Sequence, residues 1–288
     1  MTASLVEKAP AKINLTLRVL GRRADGYHEL ESLVAFADLA DTLTMLPGAA
    51  VALDISGPYA AASGKVADNL VLKAVGALKR RIEGLTAGHF LLEKNIPVAA
   101  GIGGGSADAA AALRLMARAN GLTLDDARLA QAALDVGADV PVCLASRPCI
   151  MRGIGERLAP PLDLPPLPAV LVNPGVHLVT RDVFAKFAGP QAGNSPIGDV
   201  PLDSEAMLEF LSRHENDLTA GAIACAPVIA DVLASLRTLP GARLARMSGS
   251  GATCFALFAS AGEAAAAAWM LQSRHADWWV TPATFNHP

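Results

Sequence analysis

The sequence predicts an α+β protein built from two domains. Segments with strand-like and helix-like periodicity interleave along the whole chain, and short turns between neighbouring strands favour antiparallel hairpins over a purely parallel sheet. A length of 288 residues suits two domains, with one large domain as the alternative. Five prolines within residues 159–168 (APPLDLPPLP) make that segment stiff and extended, which is typical of a connector or of a loop over a single domain. We therefore predict domains at 1–158 and 169–288, joined by 159–168.

The first half opens with a strand and a turn. Residues 11–20 (AKINLTLRVL) alternate apolar and polar side chains, which predicts a half-buried strand with Lys12 and Asn14 on its polar face. Residues 21–28 (GRRADGYH) predict a turn centred on Asp25-Gly26. Apolar spacing predicts further strands at 30–39, 41–46 and 90–94, and helices at 69–81, 107–120 and 124–136.

The second half continues the alternation of strands and helices. The patterns predict strands at 169–173, 242–247, 253–258 and 278–281, and helices at 179–187, 204–214, 226–239 and 261–273. A glycine-rich turn at 248–252 joins two of these strands. Residues 189–201 (GPQAGNSPIGDVP) are rich in turn residues and predict a mobile loop.

Composition excludes several classes of protein. A chain that is 52% hydrophobic and 18% charged can bury a core and is not disordered. A net charge of −3 does not favour a nucleic-acid partner, although it is compatible with small anionic ligands. The four cysteines lack CxxC spacing, which favours reduced, buried thiols. Residues 1–11 do not resemble a signal peptide, and no apolar stretch reaches the ~20 residues of a membrane span. We expect a soluble cytoplasmic protein without a membrane partner.

The strongest chemical signal is the segment GIGGGS at 101–106, directly before a predicted helix. Glycines let backbone amides converge on an anion, and a helix N-terminus adds unpaired N–H groups and partial positive charge. This combination predicts a phosphate cradle; a flexible loop before an ordinary capped helix is the alternative. Ser106 is either the helix N-cap or a ligand of a phosphate-bound metal ion. Asp108 repels phosphate unless its carboxylate points away and caps the helix. The segment is not a Walker A loop, because no Lys-Ser or Lys-Thr follows the last glycine.

Three further segments add candidate site residues. Asp139, in GADVPV, has apolar neighbours and therefore needs a cation or a donor, and Lys12 is the candidate cation. A carboxylate that accepts an alcohol proton and a lysine that stabilises developing charge suit phosphoryl transfer; a solvated lysine and a capping aspartate are the alternative. The turn SGSGAT at 248–253 is either a second wall of the phosphate site or a β-bulge. Tyr27 and His28 either stack on and hydrogen-bond a base, or cover the edge of the core.

Taken together, these segments resemble the kinases of the GHMP superfamily. Residues 9–15 (APAKINL) and 23–28 (RADGYH) resemble the opening of its 4-diphosphocytidyl-2-C-methyl-D-erythritol kinase family. Residues 97–107 resemble the superfamily's ATP-binding loop. Residues 137–141 resemble its segment with the catalytic aspartate, and residues 248–253 resemble its third glycine motif. The motifs follow the family's order over almost the whole chain. Ala99-Ala100 and Ala107-Asp108 depart from the two glycines and the Ser-Asn that occur in members of the family.

The resemblance implies a fold and a reaction. The implied fold has an N-terminal ATP-loop domain, a C-terminal ferredoxin-like domain and an active site in the cleft between them. The implied reaction is phosphorylation of the 2-hydroxyl of 4-diphosphocytidyl-2-C-methyl-D-erythritol by ATP, in non-mevalonate isoprenoid biosynthesis. Mg²⁺ is expected to arrive with the nucleotide, without protein ligands beyond Ser106. A kinase for another small alcohol, such as mevalonate or homoserine, and a non-catalytic nucleotide-binding protein are the alternatives. A monomer or weak dimer is expected.

The resemblance also implies roles for individual residues. Asp139 matches the catalytic aspartate and Lys12 its partner. The positions that match substrate contacts are Asn14, Tyr27, His28, Thr180 and Phe184. Tyr27 and His28 match the cytidine site. Phe184 matches a second aromatic over the cytosine, and Thr180 matches a contact nearby. The expected nucleotide contacts are Pro97, Val98, Ala99, Ala100, Gly101, Ile102, Gly103, Gly104, Gly105, Ser106 and Ala107.

Overall fold

The computed structural model describes residues 3–189 and 197–286. Strands and helices interleave, as the sequence predicts, in this order: β1 Leu5–Asn14, β2 Arg18–Arg22, β3 His28–Gly48, β4 Ala52–Ser56, α1 Leu70–Lys79, β5 Ala87–Glu93, α2 Gly104–Ala119, α3 Ala127–Val136, α4 Val140–Ala145, β6 Cys149–Gly153, β7 Arg157–Leu158, β8 Leu167–Asn173, α5 Thr180–Ala185, α6 Ser204–Arg213, α7 Thr219–Cys225, α8 Val228–Arg237, β9 Leu244–Met247, β10 Cys254–Leu257, α9 Ala261–Arg274 and β11 Trp279–Phe285. The predicted α+β class is confirmed.

The chain forms two compact units, each assembled from separated segments. The first comprises 1–12, 39–98 and 103–147, and the second comprises 13–38, 99–102 and 148–288. Strands β1 and β3 each run from one unit into the other. The boundaries predicted from the sequence divide the chain into continuous stretches and stay a prediction about domains.

The first unit combines a small sheet with four helices. Residues 42–48 of β3 pair antiparallel with β5, and β5 pairs parallel with β4. Helices α1, α2, α3 and α4 pack against one another. Helix α2 is alanine-rich, so its buried face allows a close approach of its neighbours. Asn69 caps α1 by accepting a hydrogen bond from the N–H of Val71, which fixes where that helix begins.

The second unit contains a ferredoxin-like sheet. Its four strands lie in the order β11–β8–β10–β9, with every neighbouring pair antiparallel. Helices α8 and α9 pack on this sheet and share its apolar core. The order of strands and helices along the chain gives the βαββαβ connectivity of a ferredoxin-like fold, as predicted. Residues 28–34 of β3 pair with β2 and β6 in the same unit.

Three of the predicted strands differ from the structure in detail. The strand predicted at 11–20 is divided between β1 and β2, and the two strands predicted at 30–39 and 41–46 are the single strand β3. The predicted half-burial is also wrong, because the polar face of 11–20 is as buried as its apolar face. Polar side chains that are buried need partners. Those partners, described below, connect this segment to the candidate site.

Two remaining segments have simple outcomes. Residues 159–166, most of the predicted connector, contain no strand or helix, and β8 begins at Leu167. The loop predicted at 189–201 lies partly outside the described residues, which omit 190–196. Within the described chain, every helix is too short or too polar to cross a bilayer.

Candidate active site

The predicted pairing of Lys12 with Asp139 is present in the first unit. Lys12 Nζ donates a hydrogen bond to Asp139 Oδ2 over 3.1 Å. The lysine side chain is 5% exposed and that of the aspartate 39% exposed. Asp139 precedes the first residue of α4, but its side chain does not cap that helix. The carboxylate therefore faces a buried cation on one side and is open on another, which is the arrangement a proton acceptor needs.

Helix α2 begins inside the glycine segment, three residues before the predicted start. Gly103 is the N-cap residue with φ of 68°, and no side chain caps the helix. The prediction of Ser106 as N-cap is wrong, because Ser106 lies in the first turn. Gly104 and Gly105 lie in the first turn, where little space is available for a larger residue: a Cβ at Gly104 would lie 3.3 Å from Ile96, and one at Gly105 would lie 3.4 Å from Leu70. An uncapped, glycine-rich helix start is suited to an anion.

Gly103 links the glycine segment to the lysine–aspartate pair. A Cβ at Gly103 would lie 3.3 Å from Lys12 Cβ and 3.9 Å from Cys143 Sγ. The methylene stem of Lys12 thus packs against the start of α2. Burial, followed by the charge of Asp139, raises the pKa of Cys143 to about 12. The thiol therefore stays protonated and acts as a packing group beside the pair.

Asp108 is not a helix cap, contrary to one reading of the sequence; its carboxylate bonds to Lys94. Lys94 Nζ donates to Asp108 Oδ2 over 2.7 Å and also to Asp41 Oδ2. Both acids and the lysine are buried. Burial raises the pKa of Asp108 to about 7, against the lowering effect of Lys94 and with a further increase from Asp41.

The second glycine motif packs against the first one within the second unit. The N–H and the hydroxyl of Thr253 both donate to the carbonyl of Ala100, over 3.1 and 2.5 Å. Asn173 Nδ2 donates to Thr253 Oγ1. A Cβ at Gly101 would lie 2.0 Å from the carbonyl oxygen of Gly251. The turn at 248–253 is therefore in contact with residues 100 and 101 of the first glycine-rich segment. The hypothesis that this turn forms a second wall of the phosphate site requires such a contact.

Asn14 lies next to the same turn and is 1% exposed. Its backbone N–H donates to Ser248 Oγ over 3.0 Å, and its Nδ2 donates to Ser32 Oγ over 2.8 Å. A Cβ at Gly249 would lie 3.3 Å from Asn14 Oδ1. Thr180, at the start of α5, shares a hydrogen bond with Ser250 over 3.0 Å. Asn14 and Thr180 thus contact the same turn at different residues.

The aromatic residues predicted for a base form a partial cluster in the second unit. The rings of His28 and Phe184 stack with centroids 4.9 Å apart and planes inclined by 20°. Burial, with a smaller effect from Arg22, lowers the pKa of His28 below its usual 6.5. A neutral imidazole carries one donor and one acceptor, which suits the edge of a base. Tyr27 is 60% exposed. Among the described residues, the rings in contact with His28 are those of Phe184 and Phe187, and Tyr27 is not one of them.

Several residues around these segments carried no clear signal in the sequence. Asn216 Nδ2 donates to the carbonyls of Met247 and Gly249, and so holds the second glycine turn. Arg246 is buried and donates to the carbonyl of Leu15, next to Asn14. Asp41 and Lys94 were missed as well. None of these residues belongs to a recognisable motif, and only the folded chain brings each one near its partner.

Among residues 3–189 and 197–286, no three His, Cys, Asp or Glu side chains cluster in a way that could hold a metal ion.

Comparisons with known proteins agree with the fold and the motifs. Residues 69–147 match the GHMP kinases N terminal domain, and residues 203–276 match the GHMP kinases C terminal family. A protein of Rhodopseudomonas palustris strain BisB5 named 4-diphosphocytidyl-2-C-methyl-D-erythritol kinase is 56% identical over 97% of this chain and 98% of its own length. The crystal structure of a 4-(cytidine 5'-diphospho)-2C-methyl-D-erythritol kinase is similar with a TM-score of 0.80 and 36% identity, covering 99% of this chain and 100% of that one.

A third comparison bears on the fold alone. Homoserine kinase from Cytophaga hutchinsonii is similar with a TM-score of 0.71 over 99% of this chain and 95% of that one, at 19% identity. The family models and the two 4-diphosphocytidyl-2-C-methyl-D-erythritol kinases establish that the chain is a small-molecule kinase that uses ATP. The chain belongs to the GHMP kinase superfamily and, within it, to the family of the 4-diphosphocytidyl-2-C-methyl-D-erythritol kinases.

Proposed function

We propose that this protein transfers the γ-phosphate of ATP to the 2-hydroxyl of 4-diphosphocytidyl-2-C-methyl-D-erythritol, a step of non-mevalonate isoprenoid biosynthesis. The observation that carries the proposal is the Lys12–Asp139 pair packed against the uncapped start of α2. The relatives' names, at up to 56% identity over nearly the whole chain, supply the substrate.

The loop from Pro97 to Ala107 is the proposed nucleotide site. Left-handed φ angles at Ala99, Gly101 and Gly103 alternate with other conformations, which is how backbone amides turn towards one anion. The unpaired N–H groups at the start of α2 then suit the phosphates. Ser106, in the first helical turn, fits a hydroxyl ligand of Mg²⁺. Magnesium bound to the triphosphate would neutralise its negative charge and favour transfer.

The lysine–aspartate pair is the proposed catalytic group. Asp139 orients the acceptor hydroxyl and accepts its proton, while Lys12 stabilises negative charge near the transferred phosphoryl group. Because Lys12 is buried and packed against Gly103, it keeps one position without a large loss of side-chain entropy during the reaction.

The second unit supplies the proposed contacts to the diphosphocytidyl alcohol. Neutral His28 hydrogen-bonds the edge of the cytosine, and Phe184 and Tyr27 provide stacking surfaces. Asn14 and Thr180, which each contact the second glycine turn, also contact the substrate. The match to the family's motifs supports these roles, and the stacking of His28 on Phe184 and the contacts of Asn14 and Thr180 with the glycine turn are compatible with them.

A substrate panel tests the proposal. The purified protein is incubated with ATP and Mg²⁺ and one of three alcohols: the diphosphocytidyl substrate, mevalonate or homoserine. ADP release with the diphosphocytidyl substrate alone is expected. Turnover with a control alcohol alone would assign another substrate in the same superfamily. Measurable ATP binding without turnover of any alcohol would favour a non-catalytic role.

The remaining predictions from the sequence are kept as proposals. They are a cytoplasmic location, a monomer or weak dimer, and domain boundaries at 1–158 and 169–288 with a connector at 159–168.

A further inference from the structure

A buried cluster of three charged side chains in the first unit lies beside the two ends of the 97–107 loop. Asp41 comes from β3, Lys94 follows β5, and Asp108 belongs to α2. Lys94 Nζ donates to one oxygen of each acid. All three residues are at most 4% exposed. The proposed reaction assigns no role to any of them.

The cluster joins the two ends of the loop. Asp41 Oδ1 accepts the N–H groups of Asn95 and Ile96, over 2.6 and 2.8 Å, directly before the loop begins at Pro97. Asp108 follows the last loop residue, Ala107. Lys94 bridges both acids, and its Nζ lies 3.6 Å from the position that a Cβ at Gly104 would occupy. Both ends of the loop are thus tied to one lysine.

The composition of the cluster argues for a positional role. Burying ions is costly, and a buried ion pair is often no more stabilising than apolar residues of the same volume. Here two carboxylates share a single lysine, and Asp108 Oδ1 has no hydrogen-bond partner among the described residues. Because buried ion pairs in general add little net stability, we explain this cluster by the geometry that it imposes, since its hydrogen bonds have fixed directions.

We infer that Asp41, Lys94 and Asp108 are positioning residues, which hold the two ends of the 97–107 loop at the separation that nucleotide binding requires. The inference rests on the proposed function of that loop. It assigns no contact with the nucleotide to the cluster. Its specific consequence is that loss of the Lys94–Asp108 hydrogen bond weakens ATP binding without affecting the alcohol substrate.

Two variants of similar shape test this consequence. Asp108→Leu removes the hydrogen-bond acceptor and leaves Lys94 paired with Asp41, whereas Asp108→Asn keeps an oxygen that can accept from Lys94. We expect Asp108→Leu to raise the Kd for ATP about tenfold and the KM for the diphosphocytidyl substrate less than about twofold. Asp108→Asn is expected to restore ATP affinity to within about twofold of wild type. Asp108→Ala makes the same comparison if leucine prevents folding.

A control variant distinguishes a change in the position of the loop from a general loss of protein stability. Asp126 caps α3 in the same unit and is not part of the cluster. Asp126→Ala is expected to lower the Tm while leaving the Kd for ATP unchanged. The inference is overturned if Asp108→Leu binds ATP like wild type, if Asp108→Asn is as impaired as Asp108→Leu, or if Asp126→Ala loses as much affinity. Wild-type protein that binds no ATP would overturn the proposed function and this inference together, whereas normal binding by all variants would overturn the inference alone.

Discussion

Lys12 Nζ lies 3.1 Å from Asp139 Oδ2, although 127 positions separate the two residues in the chain. The lysine is buried and the aspartate is partly open. An unpaired buried ammonium group is costly, so Asp139 gives Lys12 a partner, and Lys12 in turn fixes the direction of the carboxylate. The pair packs against Gly103, where α2 begins.

Replacing Asp139 by asparagine tests the acidic half of the pair. Asp139→Asn keeps the size of the side chain but removes the charge and the proton-accepting oxygen. We expect kcat to fall at least about 100-fold, with ATP affinity within a few-fold of wild type. Steady-state kinetics and a nucleotide titration measure both quantities. Asp135→Asn, at a partly exposed pair with Arg81 in the same unit, is the control. Full activity of Asp139→Asn would remove Asp139 from its proposed role.

Replacing Lys12 tests the basic half. Lys12→Met keeps most of the stem that packs against Gly103 but removes the charge, and Lys12→Ala removes both. We expect each variant to lower kcat by about 100-fold, and Lys12→Ala to lower the Tm further because it leaves a cavity. The assignment fails if the kcat of Lys12→Met equals that of wild type.

The stacked rings of His28 and Phe184 give a prediction about specificity. Phe184→Leu is expected to raise the KM for the diphosphocytidyl substrate about tenfold, because stacking on a base contributes about 1–3 kcal/mol. The KM for ATP is expected to stay unchanged. Phe187 contacts His28 edge-on, with centroids 6.3 Å apart, so Phe187→Leu is the matched control with a smaller effect. Equal effects of the two variants would contradict a stacking role for Phe184.

A position can require glycine because its φ is left-handed or because neighbouring atoms lie too close for a Cβ, and Gly101 and Gly121 distinguish these two reasons. Both have a left-handed φ, of 77° and 65°, but a Cβ at Gly101 would collide with the Gly251 carbonyl oxygen, whereas a Cβ at Gly121 would meet nothing within 4 Å. Gly121→Ala is expected to lower the unfolding free energy by about 1 kcal/mol. Gly101→Ala is expected to cost more and to weaken ATP binding. Denaturant unfolding and nucleotide titration measure both, and similar effects of the two variants would contradict the close approach.

The raised pKa of Asp108 predicts a pH-dependent stability. In the folded state this carboxyl holds its proton up to a pH of about 7, whereas its ordinary pKa is 3.8. The stabilisation due to the bound proton is therefore complete below pH 4 and is lost as the pH rises to 7. Asp108→Asn lacks this titration, so its Tm is expected to gain about 5 °C on wild type between pH 5 and pH 8. Parallel Tm profiles of the two proteins would contradict the shift.

Local patterns in the sequence predicted many elements well. Helix α9 was predicted at 261–273 and spans Ala261–Arg274, because Ser260 caps an alanine-rich segment. Strand β8 and the hairpin of β9 and β10 followed from their apolar runs and the turn between them. Helix α2 was predicted to begin too late, because glycine has a low helix propensity. Gly104 and Gly105 are nevertheless helical, and the absence of a Cβ at these positions leaves room for the side chains of Ile96 and Leu70.

The site was predictable where motifs carried it and not where only folding brings residues together. Lys12 and Asp139 were paired from the chemistry each one needs, and the structure confirms the contact. Asp41 gave no comparable signal, although an acid within an apolar strand is unusual. Its partner Lys94 lies 53 positions away. The polar and apolar faces of 11–20 were expected to differ in burial, and the sequence held no sign of Ser32 or Ser248 as partners of Asn14.

The product of the reaction tests the central claim most directly. The protein is incubated with Mg²⁺, ATP and 4-diphosphocytidyl-2-C-methyl-D-erythritol, and the product is analysed by phosphorus NMR together with ADP release. The account predicts one new phosphomonoester on the 2-hydroxyl for each ADP formed, and none with Asp139→Asn. ADP release without this product, or a phosphate at another hydroxyl, would contradict it.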